Sequence, residues 1–416
     1  MISRKQTRDA LLFAVALGVV AGCSSARSSG VSDTARVPTV PTAEIPRDAL
    51  EPHGLESLWF FPPSPRENPV LSATLLPSGL FTITQPGADR PGILRRIERD
   101  TGETKWSYEL ELREPPRSEP TAYQYATSIS TRPDELFLVQ LDTLFILDLQ
   151  WGDLLRKEEL PFPVATSVVG GEEFYFTGSD NGRLYGIRKS NHVQEWTYVT
   201  DASVTAAPVV SPDSVLVGST DGKIYRFSPS AGWVRGFSWK FETGAPVVSA
   251  PVDYSQWVLA GSADYKLYCL NRRDGTIYWS FLAQAPIEES PVVYSLRPGH
   301  DVAFCVAVQR AMNQVKRTLF AVKLADGAKL WRAEGLRRVV SVGKDTVYAI
   351  SDPESGAGTN LVALDVDSGE ERFRLDIARF HYVPTNLANF GRSSTERGRI
   401  YLVARDGAIQ VLSERF

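Results

Sequence analysis

Apolar and polar positions recur along this chain in one unit of roughly 40 to 52 residues. The stretches "GSDNGRLYGI" from Gly178, "GSTDGKIYRF" from Gly218 and "GSADYKLYCL" from Gly261 each carry Gly-Ser, a polar tight turn and an apolar-Tyr pair. Across the chain the unit places an apolar residue at position zero, another at plus three, a Gly near plus eight and an aromatic near plus twelve. Three copies are clean: Leu94, Ile97, Gly102 and Trp106; Leu267, Leu270, Gly275 and Trp279; Leu319, Val322, Gly327 and Trp331. Four are degenerate. Leu361, Leu364 and Gly369 lead to Phe373, and Leu144, Leu147 and Gly152 to Arg156. Leu184 and Ile187 lead through His192 to Trp196, and Ile224, Phe227 and Gly232 reach Trp239 after an insertion.

An eighth copy is divided between the chain ends. Ile409 and Leu412 supply positions zero and plus three, but the sequence stops at Phe416, one residue before the Gly is due. The missing aromatic is Trp59 in "GLESLWFF". A ring closed by pairing an N-terminal strand with C-terminal strands accounts for both observations, whereas an open solenoid accounts for neither. Within the copy around Gly218, "AAPVVS", "SVLVGS", "KIYRFS" and "SWKFET" read as four short strands, the second with alternating polarity. Asp221-Gly222 between alternating runs is a hairpin signal, expected as a turn with positive φ at both central residues. Eight such units predict an all-β fold, an eight-bladed β-propeller of four-stranded antiparallel blades. Trp59, Trp106, Trp196, Trp239, Trp279, Trp331 and Phe373 are then expected to pack one blade on the next rather than to hold a ligand.

Composition adds the setting. Fifteen Tyr, nineteen Phe and nine Trp with 31 Gly and 27 Pro favour strands and turns and exclude disorder over most of the chain. The first residues follow a different rule: Arg4, Lys5 and Arg8 precede an apolar run, Ala10 to Ala21. Twelve residues rise about 18 Å as a helix, short of the roughly 30 Å of a hydrocarbon core, so residues 1–22 read as a signal peptide. Val20-Ala21-Gly22-Cys23 resembles the lipobox of bacterial lipoproteins, which implies lipidation of Cys23. Residues 23–53, rich in Ser, Thr, Pro and Ala, are expected to form a disordered tether, and residues 54–416 the propeller. The formal charge is −4, and loss of three basic and one acidic residue with the leader makes it more negative; nucleic acid is not an expected partner. Cys269 and Cys305 sit in apolar strand-like runs of different repeats and read as buried, unbridged residues.

The segments "RDTGETKW", "RRDGTIYW" and "LADGAKLW" resemble the tryptophan-docking repeat of quinoprotein-type (PQQ-like) propellers, over nearly the whole chain after residue 55. Eight such blades behind a lipobox, with C-terminal strands closing the ring, resemble the BamB family, lipoproteins of the complex that inserts β-barrels into the bacterial outer membrane. That resemblance implies a non-catalytic scaffold on the outer membrane. It would be lipid-anchored, with its propeller in the periplasm, and would act as a monomer within a complex of envelope proteins, among them an outer-membrane barrel-assembly protein.

The alternatives are a quinone- or metal-binding propeller enzyme and a scaffold of another envelope complex. Quinoprotein dehydrogenases set the quinone against adjacent bridged cysteines, hold calcium with acidic and amide ligands and often carry a Cys-x-x-Cys-His haem site. No two cysteines here are adjacent and no such motif occurs. His53, His192, His300 and His381 lack metal-site spacing, and neither a nucleophile elbow nor a phosphate-binding loop is found. The expectation is therefore no catalytic residue, no cofactor and no metal. Asp180, Asp221, Asp264 and Asp406 are expected to serve hairpin turns rather than a cation site. Three insertions are the candidates for partner contacts: "FFPPSPRENP" after Trp59, "RPGHDVAFCVAVQRAMNQVKR" in the sixth unit and "YVPTNLANFGRSSTERGR" before the last strands.

Overall fold

The computed structural model describes residues 44–63, 69–84, 91–111, 127–131, 134–140, 142–228, 237–297, 300–311, 314–351, 359–386 and 397–415. These form eight four-stranded antiparallel sheets. Seven are consecutive in sequence, spanning residues 70–109, 127–159, 169–199, 209–242, 252–282, 292–334 and 336–376, numbered here as blades 1 to 7 from the N-terminus. The eighth pairs Phe380–Tyr382, Ile400–Ala404 and Ile409–Glu414 with the N-terminal strand Leu55–Phe61 as its outermost member, in register from Leu55 opposite Glu414 to Phe61 opposite Ile409. The ring is thus closed by the two ends of the chain.

Its core is not one mass but eight apolar clusters, one in each seam between neighbouring blades. This explains why the second and third strands do not alternate as expected. Ser214–Gly218 is buried at every position, because Val215 and Val217 face the seam with blade 3 while Leu216 faces the seam with blade 5. A strand sandwiched on both faces reads as a continuous apolar run, as in parallel sheets.

The hairpin between second and third strands also differs from the expected turn. The Gly222 N–H donates to the Ser219 carbonyl, the Ser219 N–H donates to the Lys223 carbonyl, and only Gly222 has positive φ, 82°. This is the longer loop in which a left-handed residue closes the hairpin with a bulge. In blade 5 that place belongs to Tyr265, at φ 74° and 46% exposed. A left-handed non-glycine residue costs roughly 1–2 kcal/mol, partly offset by the greater chain entropy of Gly. Tyr265→Gly is therefore expected to raise stability by up to about 1 kcal/mol, and an unchanged or lower denaturant midpoint would contradict it.

The expected tether, residues 23–53, overlaps the folded unit at its end. Its last ten residues belong to the folded unit: Arg47–Leu50 is one helical turn, Glu51–His53 a 3-10 turn, and Ile45 and Leu50 lie 4% and 1% exposed in the seam between blades 7 and 8. Buried Gln410 holds this N-terminal wedge, residues 44–53, by both backbone polar groups of one residue, accepting from the Ile45 N–H at 2.9 Å and donating to the Ile45 carbonyl at 3.1 Å. Gly54, at φ 67°, ends the 3-10 turn, and its carbonyl accepts the Arg415 N–H at 2.9 Å.

Candidate functional site

The recurring Trp and the recurring Gly belong to different blades. Each outer-strand indole lies against the turn glycine of the next blade: Trp59 on Gly102, Trp106 on Gly152, Trp239 on Gly275, Trp279 on Gly327 and Trp331 on Gly369. A Cβ on any of these five glycines would collide with the ring, and each has φ between 72° and 78°, so the position excludes other residues twice over. The indole N–H donates to a carbonyl in the same turn, at 2.9 Å for Arg99, 3.0 Å for Leu149, 3.1 Å for Arg272 and 2.8 Å for Leu324 and Val366. Trp196 is 8% exposed and meets Phe227 of blade 4 edge-on, with ring centroids 5.2 Å apart.

Two seams break the rule. Between blades 2 and 3, Arg156 stands where Trp would, and His192, at φ 59°, stands where Gly would. Arg156 pairs with Glu158, whose carboxylate lies 3.1 Å from His192 Nδ1. Burial lowers the pKa of the imidazole, against the opposing pull of Glu158. Between blades 7 and 8, Phe373 replaces Trp and stacks on His53 at 4.3 Å.

On the ring face that carries the Asp turns, the acidic residues act as fasteners. Asp221 accepts the Lys223 N–H at 2.9 Å, the Tyr225 hydroxyl at 2.6 Å and, from the strap that follows the last strand of blade 3, the Asp201 N–H at 3.1 Å. Asp264 repeats this with Lys266, Tyr268 and the Gly244 N–H of blade 4 at 2.8 Å. Thr200 and Thr243 donate to the Gly182 and Gly222 carbonyls in the same straps. Burial and then the aspartates push both tyrosine hydroxyls well above their ordinary pKa. In blade 3 the corresponding residue is Asn181, bonded to the Tyr185 hydroxyl at 2.9 Å, and Asp406 caps the Ala408 N–H. These carboxylates are spent on backbone and phenol donors, as hairpin geometry requires.

The remaining chemistry-bearing residues stay apart. Cys269 and Cys305 are free and buried in the seam between blades 5 and 6, where burial pushes both thiols up to about 12. His300 begins a strand of blade 6, and His381 lies in the closing blade. No group of three or more metal-ligating residues occurs among the described residues. Cys23 lies outside the described residues.

The sixth-unit insertion is not a loop. His300–Ala311 and Gln314–Lys323 form a hairpin that continues past the body of blade 6 on the Asp-turn face, where Val308 donates to the Pro286 carbonyl and Ala307 bridges Ile287. Beyond that bridge Gln309, Arg310, Ala311, Gln314 and Lys316 are exposed. Arg310 reaches Glu288 at 2.5 Å and Lys316 reaches Glu334 at 2.9 Å, exposed pairs worth at most about 1 kcal/mol each. The projecting ribbon thus ends in exposed backbone at Gln309–Ala311 and Gln314, with its two cations held in ion pairs.

Of the other two insertions, residues 64–68 and 387–396 lie outside the described residues. The flanks of the second run along the inner strand of blade 7. Fully buried Asn386 donates from its N–H to the Val340 carbonyl and accepts from Arg99 of blade 1 at 3.2 Å, while its carbonyl accepts the Tyr294 hydroxyl of blade 6 at 3.1 Å. One residue thereby joins three blades to the closing one.

A family described as outer membrane protein assembly factor BamB matches residues 90–236 and 232–415. No curated protein matches the sequence. Among solved structures, BamB from Moraxella catarrhalis is similar at 14% identity with a TM-score of 0.59, covering 86% of this chain and 97% of that one. The computationally designed Ika8 protein is similar at 12% identity with a TM-score of 0.56, covering 86% and 99%. At such identities these likenesses speak for the fold alone.

Proposed function

The chain belongs to the outer membrane protein assembly factor BamB family, and from that premise we propose that it is a non-catalytic scaffold for protein contacts in outer-membrane β-barrel assembly. The observation that carries this reading is the pairing of the family's repeat over residues 90–415 with a ring whose departures from that repeat, above all the ribbon projecting from blade 6, are surface features suited to a partner. The acidic turns of blades 4 and 5 are occupied in holding blades together, which leaves recognition to added segments.

In this reading Cys23 carries the lipid, residues 24–43 form the tether, and the propeller works in the periplasm against the outer membrane. A tether of about twenty residues gives a root-mean-square reach near 25 Å on flexible-chain scaling. The test compares wild-type protein with Cys23→Ser after labelling with a fatty acid, followed by purification from membranes in mild detergent, mass spectrometry and absorbance. The wild-type protein is expected to take up label and recover barrel-assembly proteins, and Cys23→Ser to remain unlabelled. An unlabelled wild type would end the lipidation claim, and unrelated envelope proteins in the eluate would replace the assembly role. A stoichiometric quinone with dye-linked alcohol or sugar oxidation would overturn the non-catalytic reading.

A further inference from the structure

The seam between blades 7 and 8 holds a cleft of about 580 Å³ on the face that carries the tryptophan-docking turns, lined by residues of both blades and of the N-terminal wedge. It arises from the repeat's own geometry. At five other seams an indole fills this place and donates to the opposite turn. Here the side chain is Phe373, half-buried and one ring smaller, and the opposite turn is replaced by Pro52, His53 and Gly54. The His53–Phe373 stack, with planes 22° apart, forms an aromatic floor.

Most charges around the cleft are already committed. Glu414 accepts the Tyr348 hydroxyl at 2.8 Å and the Lys344 backbone N–H at 3.0 Å. Arg372 donates to Asp365 at 2.6 Å and Thr346 at 2.9 Å, and Arg415 donates to Glu51 at 2.9 Å. The exposed ammonium of Lys344 has no partner among the described residues. The volume lies within the about 300–1,000 Å³ of small-ligand pockets, and it joins an aromatic floor to one uncommitted cation.

We propose that this cleft is a docking site for a partner protein's peptide segment in which an aromatic side chain adjoins a carboxylate. The ring takes the place that indoles hold at the other seams, and the carboxylate meets Lys344. This deepens the scaffold reading and rests on it, but its test uses the isolated protein, so that its failure and failure of co-purification are separate results.

The probe is the blocked peptide acetyl-Glu-Trp-Glu-amide, titrated calorimetrically at low salt, with acetyl-Gln-Trp-Gln-amide as its neutral counterpart. The acidic peptide is expected to bind at least 10-fold more tightly than the neutral one and to lose at least 10-fold with Lys344→Glu. Lys344→Gln should give an intermediate loss. Phe373→Trp, which restores the residue of the other seams, should fill the cleft and abolish binding while leaving the thermal midpoint unchanged or higher. No heat at millimolar peptide, equal binding of the two peptides, full displacement by inorganic phosphate, or undiminished binding to Phe373→Trp would each overturn the proposal.

Discussion

A chain ending before Arg399 is expected to lose cooperative unfolding altogether. The truncation removes two of the four strands of the closing blade and leaves Leu55–Phe61 without its pairing partner. It also removes Ile400, Tyr401, Leu402, Val403, Ile409, Val411 and Leu412, all at most 2% exposed. At roughly 1.5–3 kcal/mol per buried side chain, the loss exceeds about 10 kcal/mol, which equals or surpasses the about 5–15 kcal/mol that separates most folded domains from their unfolded chains. Blades 1 and 7 would then present open faces, with aggregation as the expected companion. Circular dichroism melts and sedimentation of the truncated chain decide the matter. A transition as sharp and as high as that of the full chain would mean that the ring does not depend on its shared blade.

The second large effect discriminates among seams. Trp279→Ala is expected to cost about 3–5 kcal/mol, because the indole is 9% exposed, fills the space over Gly327 and satisfies the Leu324 carbonyl at 2.8 Å. Arg156→Ala occupies the same place in the repeat and should cost at most about 1 kcal/mol, since that side chain is 46% exposed and pairs with a neighbouring carboxylate on its own strand. Denaturant titrations of the two variants should therefore differ by several-fold in lost stability. Equal losses would show that the docking position is uniform around the ring and that the polar seam is not a true exception.

Repeat spacing made the ring, the number of blades and the shared closing blade legible, because five of the eight seams answer the same packing problem with the same Trp and Gly. Trp106 and Gly152 look unrelated in sequence, yet a turn without Cβ is the only surface an indole can lie on at that distance. Packing of the aromatic on the next blade was expected, but the spacing could not name the Gly of that blade as its contact, since the Gly four residues before each Trp is equally regular. The wedge at Ile45 to His53 was hidden for another reason. One helical turn with two apolar anchors produces no period, and its hold on the ring comes from a residue 365 positions away. The blade 6 ribbon was visible as excess length, but its apolar run "VAFCVAV" carries no mark of where blade ends and projection begins. That Arg156 and His192 mark the same polar seam, each beside Glu158, could have been found by aligning degenerate copies against clean ones, because both departures fall on positions that otherwise hold Trp and Gly.

The wedge also sets how the ring meets mechanical tension. A pull arriving along the chain from upstream of Glu44 does not reach the end of strand Leu55–Phe61 first. It meets the paired hydrogen bonds between Ile45 and Gln410, and that amide also reaches Ser57 near the strand's middle, at 3.3 Å. Gln410 lies on the neighbouring strand opposite Phe60, so the pull is delivered across the sheet to that strand and not along Leu55–Phe61 from its first residue. The closing blade is the one place where this ring can be opened without cutting the backbone, and the ten residues before it keep traction off that edge.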